Sequence, residues 1–404
     1  MRIIHTSDWH LGKSLEGVTR IDEQKKFCEE FIEMAEEKKA DMIIIAGDIY
    51  DTYNPSADAE TLFYDTIEKL SKNGKRYIYI IAGNHDNPDR LESIVPFASK
   101  RGITILGYPY SKAVVGKYDG FEIVEAEEGY TKVSINGEVV NVLGLPYPSE
   151  KRLNEVVLNF DSDEDMQKSY SNKVGDIFKK LEENYKEDEI NIAVSHLFVV
   201  GSEITDSERR IELGGSLLVE KKDLPQNSQY IALGHIHKPQ RMSKKLNAYY
   251  SGSPIQYSKS ERNTAKSVYI VDIEANKEPE VTQGFVRNYR PIVLFKCENI
   301  EEAVKISEEK KNEDIFSYFE VKATESLNPE DIRAIKKNMK NVLEIRPIIS
   351  KEEDFDKKEV IDINKGNIGE YFIDFFKKSN NGIEPSNEIL NIFRELIENE
   401  EIEQ

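Results

Sequence analysis

Cysteine is nearly missing from this chain: Cys28 and Cys297 are its only two among 404 residues. They are too far apart in sequence to form a metal-ligand motif or a disulfide framework. That excludes a disulfide-stapled secreted scaffold and favours a reducing compartment. No apolar run approaches the roughly 20 residues needed to cross a bilayer. The opening Met1-Arg2-Ile3-Ile4-His5 also lacks the apolar core of a secretion signal. The expectation is a cytoplasmic protein with no membrane partner. Positive charge is the scarcer sign, with 55 Lys and Arg against 75 Asp and Glu, a net of −20. This excludes a polycation that coats nucleic acid nonspecifically. It leaves room for an enzyme that meets phosphate through bound cations and a local basic groove. Part of the imbalance is confined to residues 351–404, which hold 15 acidic and 7 basic side chains.

The length implies two or three domains, and 39% hydrophobic with 32% charged residues describes a globular protein. Over the first 150 residues, apolar runs alternate with helix-period segments, the pattern of a layered α/β structure. Strands are expected at 2–6, 42–46, 77–82, 190–194 and 230–233. Helical stripes lie between them at Phe27, Phe31 and Ala35, and at Leu62, Phe63, Ile67 and Leu70. A further stripe, Val174, Ile177, Phe178, Leu181 and Tyr185, precedes the fourth strand. Asn136-Gly137 marks a hairpin, and 248–250 and 267–273 add β signal for a second sheet. From about 288 the pattern becomes a small β-α-β-α-β unit, with strands at 291–295, 316–323 and 342–349. A charged stretch, 351–365, follows. The tail then carries two apolar stripes at helical spacing, one through Ile368, Tyr371, Phe372, Phe375 and Phe376, the other through Ile389, Ile392, Phe393, Leu396 and Ile397. They read as a helical hairpin, docking either on the body or on a partner.

Histidine is scarce too, six in all, but five of the six follow short apolar runs beside an acidic, amide or histidine neighbour. The segments are Asp8-Trp9-His10, Gly47-Asp48, Gly83-Asn84-His85-Asp86, Ser195-His196 and Gly234-His235-Ile236-His237. Most of these polar residues fall within two positions of a strand's C-terminal end, where α/β sheets gather loops around a ligand. Oxygen and imidazole donors from five segments suit a pair of divalent cations such as Mn, Fe or Zn. A carboxylate such as Asp48 has two oxygens and can bridge two ions. Such a pair clamps a phosphate and lowers the pKa of a shared water. His85 is left over to protonate the leaving oxygen or to stabilise charge on the phosphoryl group, with either Asp51 or Asp86 to orient it. His5, inside the first strand, reads as structural. Arg90 is a candidate phosphate contact whose bland alternative is an exposed helix residue.

In this order, Asp-x-His, Gly-Asp, Gly-Asn-His-Asp, a lone histidine after a strand and Gly-His-x-His are motifs of the calcineurin-like metallophosphoesterases, and the chain resembles that family. Longer strings resemble its DNA-repair nuclease branch: His5 to Gly12, Ala46 to Asp51, Gly144-Leu145-Pro146-Tyr147 and Gly252-Ser253-Pro254. The likeness runs over essentially the whole chain and is strongest over residues 1–260. It implies a layered α/β/β/α sandwich over 1–287, a small DNA-facing α/β cap at 288–350, a linker at 351–365 and a helical hairpin at 366–404. One metal would be held by Asp8, His10, Asp48 and His237, and a second by Asp48, Asn84, His196 and His235, with Mn the usual ion. His85 would be catalytic, with a direct Asp51–His85 contact orienting it. Double-strand exonuclease and single-strand or hairpin endonuclease activity follow by resemblance. So do an ATPase partner bound through the tail and a homodimer through helices of the main domain, for which 56–72 and 88–100 are candidates whose apolar residues serve equally as core. A phosphatase for small molecules or phosphoproteins is the alternative. Against it, Asp51-Thr52-Tyr53 stands where protein phosphatases continue with Asp-Arg-Gly. A non-catalytic scaffold would be expected to have lost ligands, and all seven are present along with His85.

Overall fold

A computed structural model of the chain describes residues 1–153, 163–208, 217–243, 245–323 and 327–349. In the tail it describes Phe372, Ile373, Phe376, Lys377, Pro385, Ile389, Leu390 and Phe393. The charged stretch 351–365 and most of both tail stripes lie outside these residues.

Alternation along the strands builds the layers, because successive side chains in a strand point to opposite faces. In Arg2–Thr6 and Met42–Ala46, Ile4, Ile43 and Ile45 face one way, into a core with Phe27, Phe31, Phe63 and Leu70. These come from the helices Ile21–Glu37 and Ala57–Ser71. Ile3, Ile44 and Ala46 face the other way. They meet Val140, Val142, Ile192, Val194 and Ala232 of a second sheet. The far side of that sheet offers Leu143, Ala193, Ile231 and Leu233 to Val174 and Phe178 of the helix Asp163–Glu182. The result is four layers, helix on sheet on sheet on helix.

The first sheet has six strands in the order 280–285, 267–272, 2–6, 42–46, 77–81 and 103–106; the last four run parallel. The second has eight, in the order 240–241, 248–250, 230–234, 190–196, 138–145, 130–135, 121–127 and 116–117. Its strands from 248–250 to 138–145 are parallel, and the rest of that edge is an antiparallel meander through the expected Asn136-Gly137 turn. Parallel registers such as Thr6 with Ile45, Ala46 with Ile81 and His196 with Gly234 align the C-terminal ends that lead into the polar motifs.

Residues 292–349 form a three-stranded sheet, Ile292–Cys297, Phe316–Ala323 and Val342–Ile349, with helices Ile300–Glu309 and Pro329–Asn338. Cys297, Phe319, Val321, Ala303 and Ile335 make a core of their own. On another face Ile292, Phe316 and Tyr318 pack on Leu15, and the Arg20 guanidinium lies 4.6 Å over the Phe316 ring. The chain divides into two compact units, Met1–Ile348 and Ile349–Gln404. In the second, Phe372 stacks on Phe393 with centroids 3.9 Å apart and rings 11° from parallel. The two tail stripes therefore meet each other through these rings.

Candidate metal centre

The site begins where two strands of the first sheet end but their pairing continues. Asp8 N donates to Gly47 O (3.0 Å), His10 N to Asp48 O (3.0 Å) and Leu11 N to Ile49 O (2.8 Å). This lateral zip holds Asp8, His10 and Asp48 at φ of 54°, 43° and 50°, and His235 stands at 105°. Left-handed backbone at non-glycine residues costs about 1 kcal/mol or more each, and it persists where the surroundings over-determine it. Between the sheets the approach is closer still. His196 Nδ1 donates to Ala46 O at 2.8 Å, and a Cβ on Gly234 would fall 1.9 Å from that same oxygen. Glycine is needed there for space rather than for φ.

All seven donors named from the sequence converge. Asp8, His10 and His237 bring ligand atoms within 4.8 Å of one another, and so do Asp48, His196 and His235. Asn84 Oδ1 joins the second set, 3.0 Å from His196 Nε2 and 2.9 Å from His235 Nδ1. Asp48 Oδ2 sits between the sets, 3.6 Å from His10 Nε2 and 3.4 Å from His196 Nε2. His10, Asp51 and His85 also bring ligand atoms within 4.8 Å of one another.

The donor chemistry fits cations. His196 spends its Nδ1 hydrogen on Ala46 O, so the lone pair it can offer an ion is on Nε2, beside Asn84 Oδ1. His10 Nε2 and His237 Nε2 lie 3.0 Å apart. A divalent ion displaces any proton on these nitrogens and binds the lone pairs so freed. Burial lowers His10 and His235 to about 3, which keeps both rings neutral. Burial raises Asp8 to about 6, against the pull of His196 and His237. For His196, burial opposes the charge but Asp48 overrides it and lifts the ring to about 9. Asp48 itself lies well below the usual carboxylate range, the surrounding histidines outweighing its burial.

His85 takes its place beside the first set, its ring edge-on to His10 with centroids 4.7 Å apart. The expected Asp51–His85 contact runs through the main chain: His85 Nδ1 donates to the Asp51 carbonyl at 2.6 Å. The Asp51 carboxylate instead accepts from Lys13 Nζ (2.7 Å) and stands 3.5 Å from His10 Nδ1. Asp86, the other candidate, turns inward and accepts from the backbone of Gly83 (2.8 Å), Tyr50 (3.0 Å) and Ile49 (3.2 Å). It shapes the Asn84-His85 loop rather than the His85 ring. Arg90 ion-pairs with Glu60 at 2.8 Å.

Sequence reasoning missed the residues that brace these groups. Arg152 donates to Gly83 O and Asp86 O, both at 2.7 Å, and so staples the two ends of the Asn84-His85 turn. Asp8 accepts from Ser7 Oγ (2.5 Å) and from His235 N (3.0 Å). Ser207 and Glu261 stand behind His237. Nothing in local spacing signals these partners, which join the site only through the fold.

The family model of calcineurin-like phosphoesterases matches residues 1–239. The chain is 37% identical over 398 residues to the D subunit of the nuclease SbcCD of Bacillus subtilis (strain 168), covering 98% of this chain and 97% of that one. It is 28% identical over 367 residues to the protein of the same name from Staphylococcus epidermidis, covering 89% of each. Among solved structures, a dimetal phosphatase from Danio rerio aligns at 10% identity with a TM-score of 0.38, over 70% of this chain and 98% of that one. This chain therefore belongs to the calcineurin-like phosphoesterases, metal-dependent hydrolases of phosphate esters, and within them to the SbcD family of nuclease subunits.

Proposed function

We propose that the protein is a Mn-dependent DNA nuclease, cutting double-stranded ends as an exonuclease and single strands or hairpins as an endonuclease. The observation that carries this reading is the convergence of seven oxygen and nitrogen donors in two sets joined by Asp48. It is joined to full-length likeness to relatives named as nucleases. Asp8, His10, Asp48 and His237 would hold one ion, and Asp48, Asn84, His196 and His235 the other. Bound there, the ions would supply an activated water and neutralise charge on the phosphate. His85 keeps its Nδ1 hydrogen on the Asp51 carbonyl. Nε2 is then the atom that can pass a proton to the leaving oxygen. Lys13 draws the Asp51 carboxylate aside and leaves the carbonyl to His85.

The relatives' name is that of one subunit of a two-part complex. We take the partner to be an SbcC-like ATPase bound by the 366–404 hairpin, in which Phe372 and Phe393 bring the two stripes together. The 288–350 unit is read as the DNA-facing cap. A homodimer through the helices near 56–72 and 88–100 is supported by an apolar groove of about 350 Å³. Tyr64, Ile67, Ile94 and Phe97 line it, and Phe97 is 69% exposed. No helix among the described residues is long and apolar enough to cross a membrane; the cytoplasmic location stays a proposal drawn from the cysteine usage.

The test incubates the purified protein with Mn and linear double-stranded DNA, circular single-stranded DNA or a small chromogenic phosphodiester. The expected result is DNA cleavage that falls by about 100-fold or more in His85→Ala. Hydrolysis of the small ester alone, even after an SbcC-like ATPase is added, would favour the phosphatase alternative.

A further inference from the structure

Behind His237 lies a run of polar side chains with no evident part in phosphoester chemistry: Ser207 is half-buried, and Glu261, Lys266 and Ser253 are buried. Ser207 Oγ is 2.6 Å from His237 Nδ1 and 2.5 Å from Glu261 Oε1. Glu261 is wholly buried. Its other oxygen takes the ammonium of Lys266, itself 5% exposed. Lys266 also donates to Ser253 Oγ at 2.8 Å and to the His237 carbonyl at 3.0 Å.

Hydrogen-bond bookkeeping leaves one assignment. An ionised carboxylate only accepts, so the single hydroxyl hydrogen of Ser207 goes to Glu261. The hydroxyl can then only accept from His237, which puts a hydrogen on Nδ1 and, in the neutral ring that an ion requires, leaves the lone pair on Nε2. Nε2 is the atom that faces His10. The serine itself is tethered through the next residue, since Glu208 Oε1 accepts from His237 N at 2.8 Å and Oε2 from Thr205 N at 2.7 Å. Lys266 offsets the cost of burying the Glu261 charge, and that charge keeps the hydroxyl from turning round.

We propose that Ser207, backed by Glu261 and Lys266, is a positioning residue that fixes His237 in the tautomer able to bind a divalent ion. The proposal rests on His237 being a ligand. Partners of this kind contribute about 10–100-fold to metal affinity.

The test is a calorimetric titration of Mn(II) into the metal-free, full-length protein, with the unfolding midpoint of each metal-free variant as a check on folding. Wild type takes up two ions. Ser207→Ala weakens one of them by about 10–100-fold and leaves the other unchanged, and Ser207→Thr, which keeps the hydroxyl, restores it. Glu261→Gln weakens the same ion, because its amide can donate to Ser207 and turn the hydroxyl hydrogen toward His237. Wild-type affinity in Ser207→Ala or Glu261→Gln overturns the proposal, as does a Ser207→Thr as weak as Ser207→Ala. No DNA enters the measurement, so failure of the nuclease reading would leave its result standing. A wild type that takes up a single ion overturns the ligand assignment and this proposal together.

Discussion

His5 shows how a single residue in this fold ties stability to pH. It is fully buried, with Nδ1 2.9 Å from the Tyr230 hydroxyl and no hydrogen-bond partner for Nε2 among the described residues. Burial lowers it to about 3. A depressed histidine contributes stability above its unfolded value, and that contribution is lost as pH falls from about 6.5 toward 3. The loss is at most about 1.4 kcal/mol per pH unit. In His5→Phe the acid side of a urea-midpoint profile should flatten by about one proton; an unchanged slope would mean that His5 does not titrate this way. Space is the other constraint at this scale. Gly234→Ala drives a methyl group into the Ala46 carbonyl and toward His196 Nδ1. It should cost at least about 1–3 kcal/mol and weaken metal binding. Gly137→Ala, with nothing within 4 Å of its Cβ, should cost only its backbone strain, about 1 kcal/mol. Equal effects in a denaturant titration would count against the tight seam. The ligands were legible in the sequence because each sits in a short polar motif after an apolar run. Which atom of Asp51 serves His85 was not, since backbone direction in that turn is set by pairing between loops.

Among the elements, those that read most clearly are the ones made by apolar periodicity alone. Met42–Ala46 is buried on both faces and appeared as a continuous run of five apolar residues; the strands 316–323 and 342–349 also lie where the pattern put them. Short edge strands such as Gly116–Lys117 and Gln240–Arg241 carry no such signal. The sheet order, which brings 190–196 against 138–145, is a long-range fact that no local window contains. Two predictions belong here. Deleting 366–404 should abolish binding of an SbcC-like ATPase in a pull-down while sparing basal cleavage of single-stranded DNA. Retained binding would make the hairpin part of the body. Phe97→Asp, which puts a charge at the groove of about 350 Å³, tests the proposed homodimer: wild type should sediment as a dimer and the variant toward monomer. An unchanged profile would count against a dimer through that face.

For the whole molecule, an acidic protein of net charge −20 can act on a polyanion if its centre is made of cations. Ions that bind only the folded chain stabilise it by mass action, about 2.7 kcal/mol for each site held at a hundred times its dissociation constant. Removing metal with a chelator should therefore lower the thermal midpoint, and Mn should restore it; a midpoint indifferent to both would speak against buried ions. The central claim is narrower, that two ions occupy two particular donor sets. Anomalous diffraction at the manganese edge, from crystals grown with Mn, tests it most directly. Two peaks about 3.5–4 Å apart are expected, one among Asp8, His10, Asp48 and His237, the other among Asp48, Asn84, His196 and His235. A single peak, or one enclosed by His10, Asp51 and His85, would contradict it.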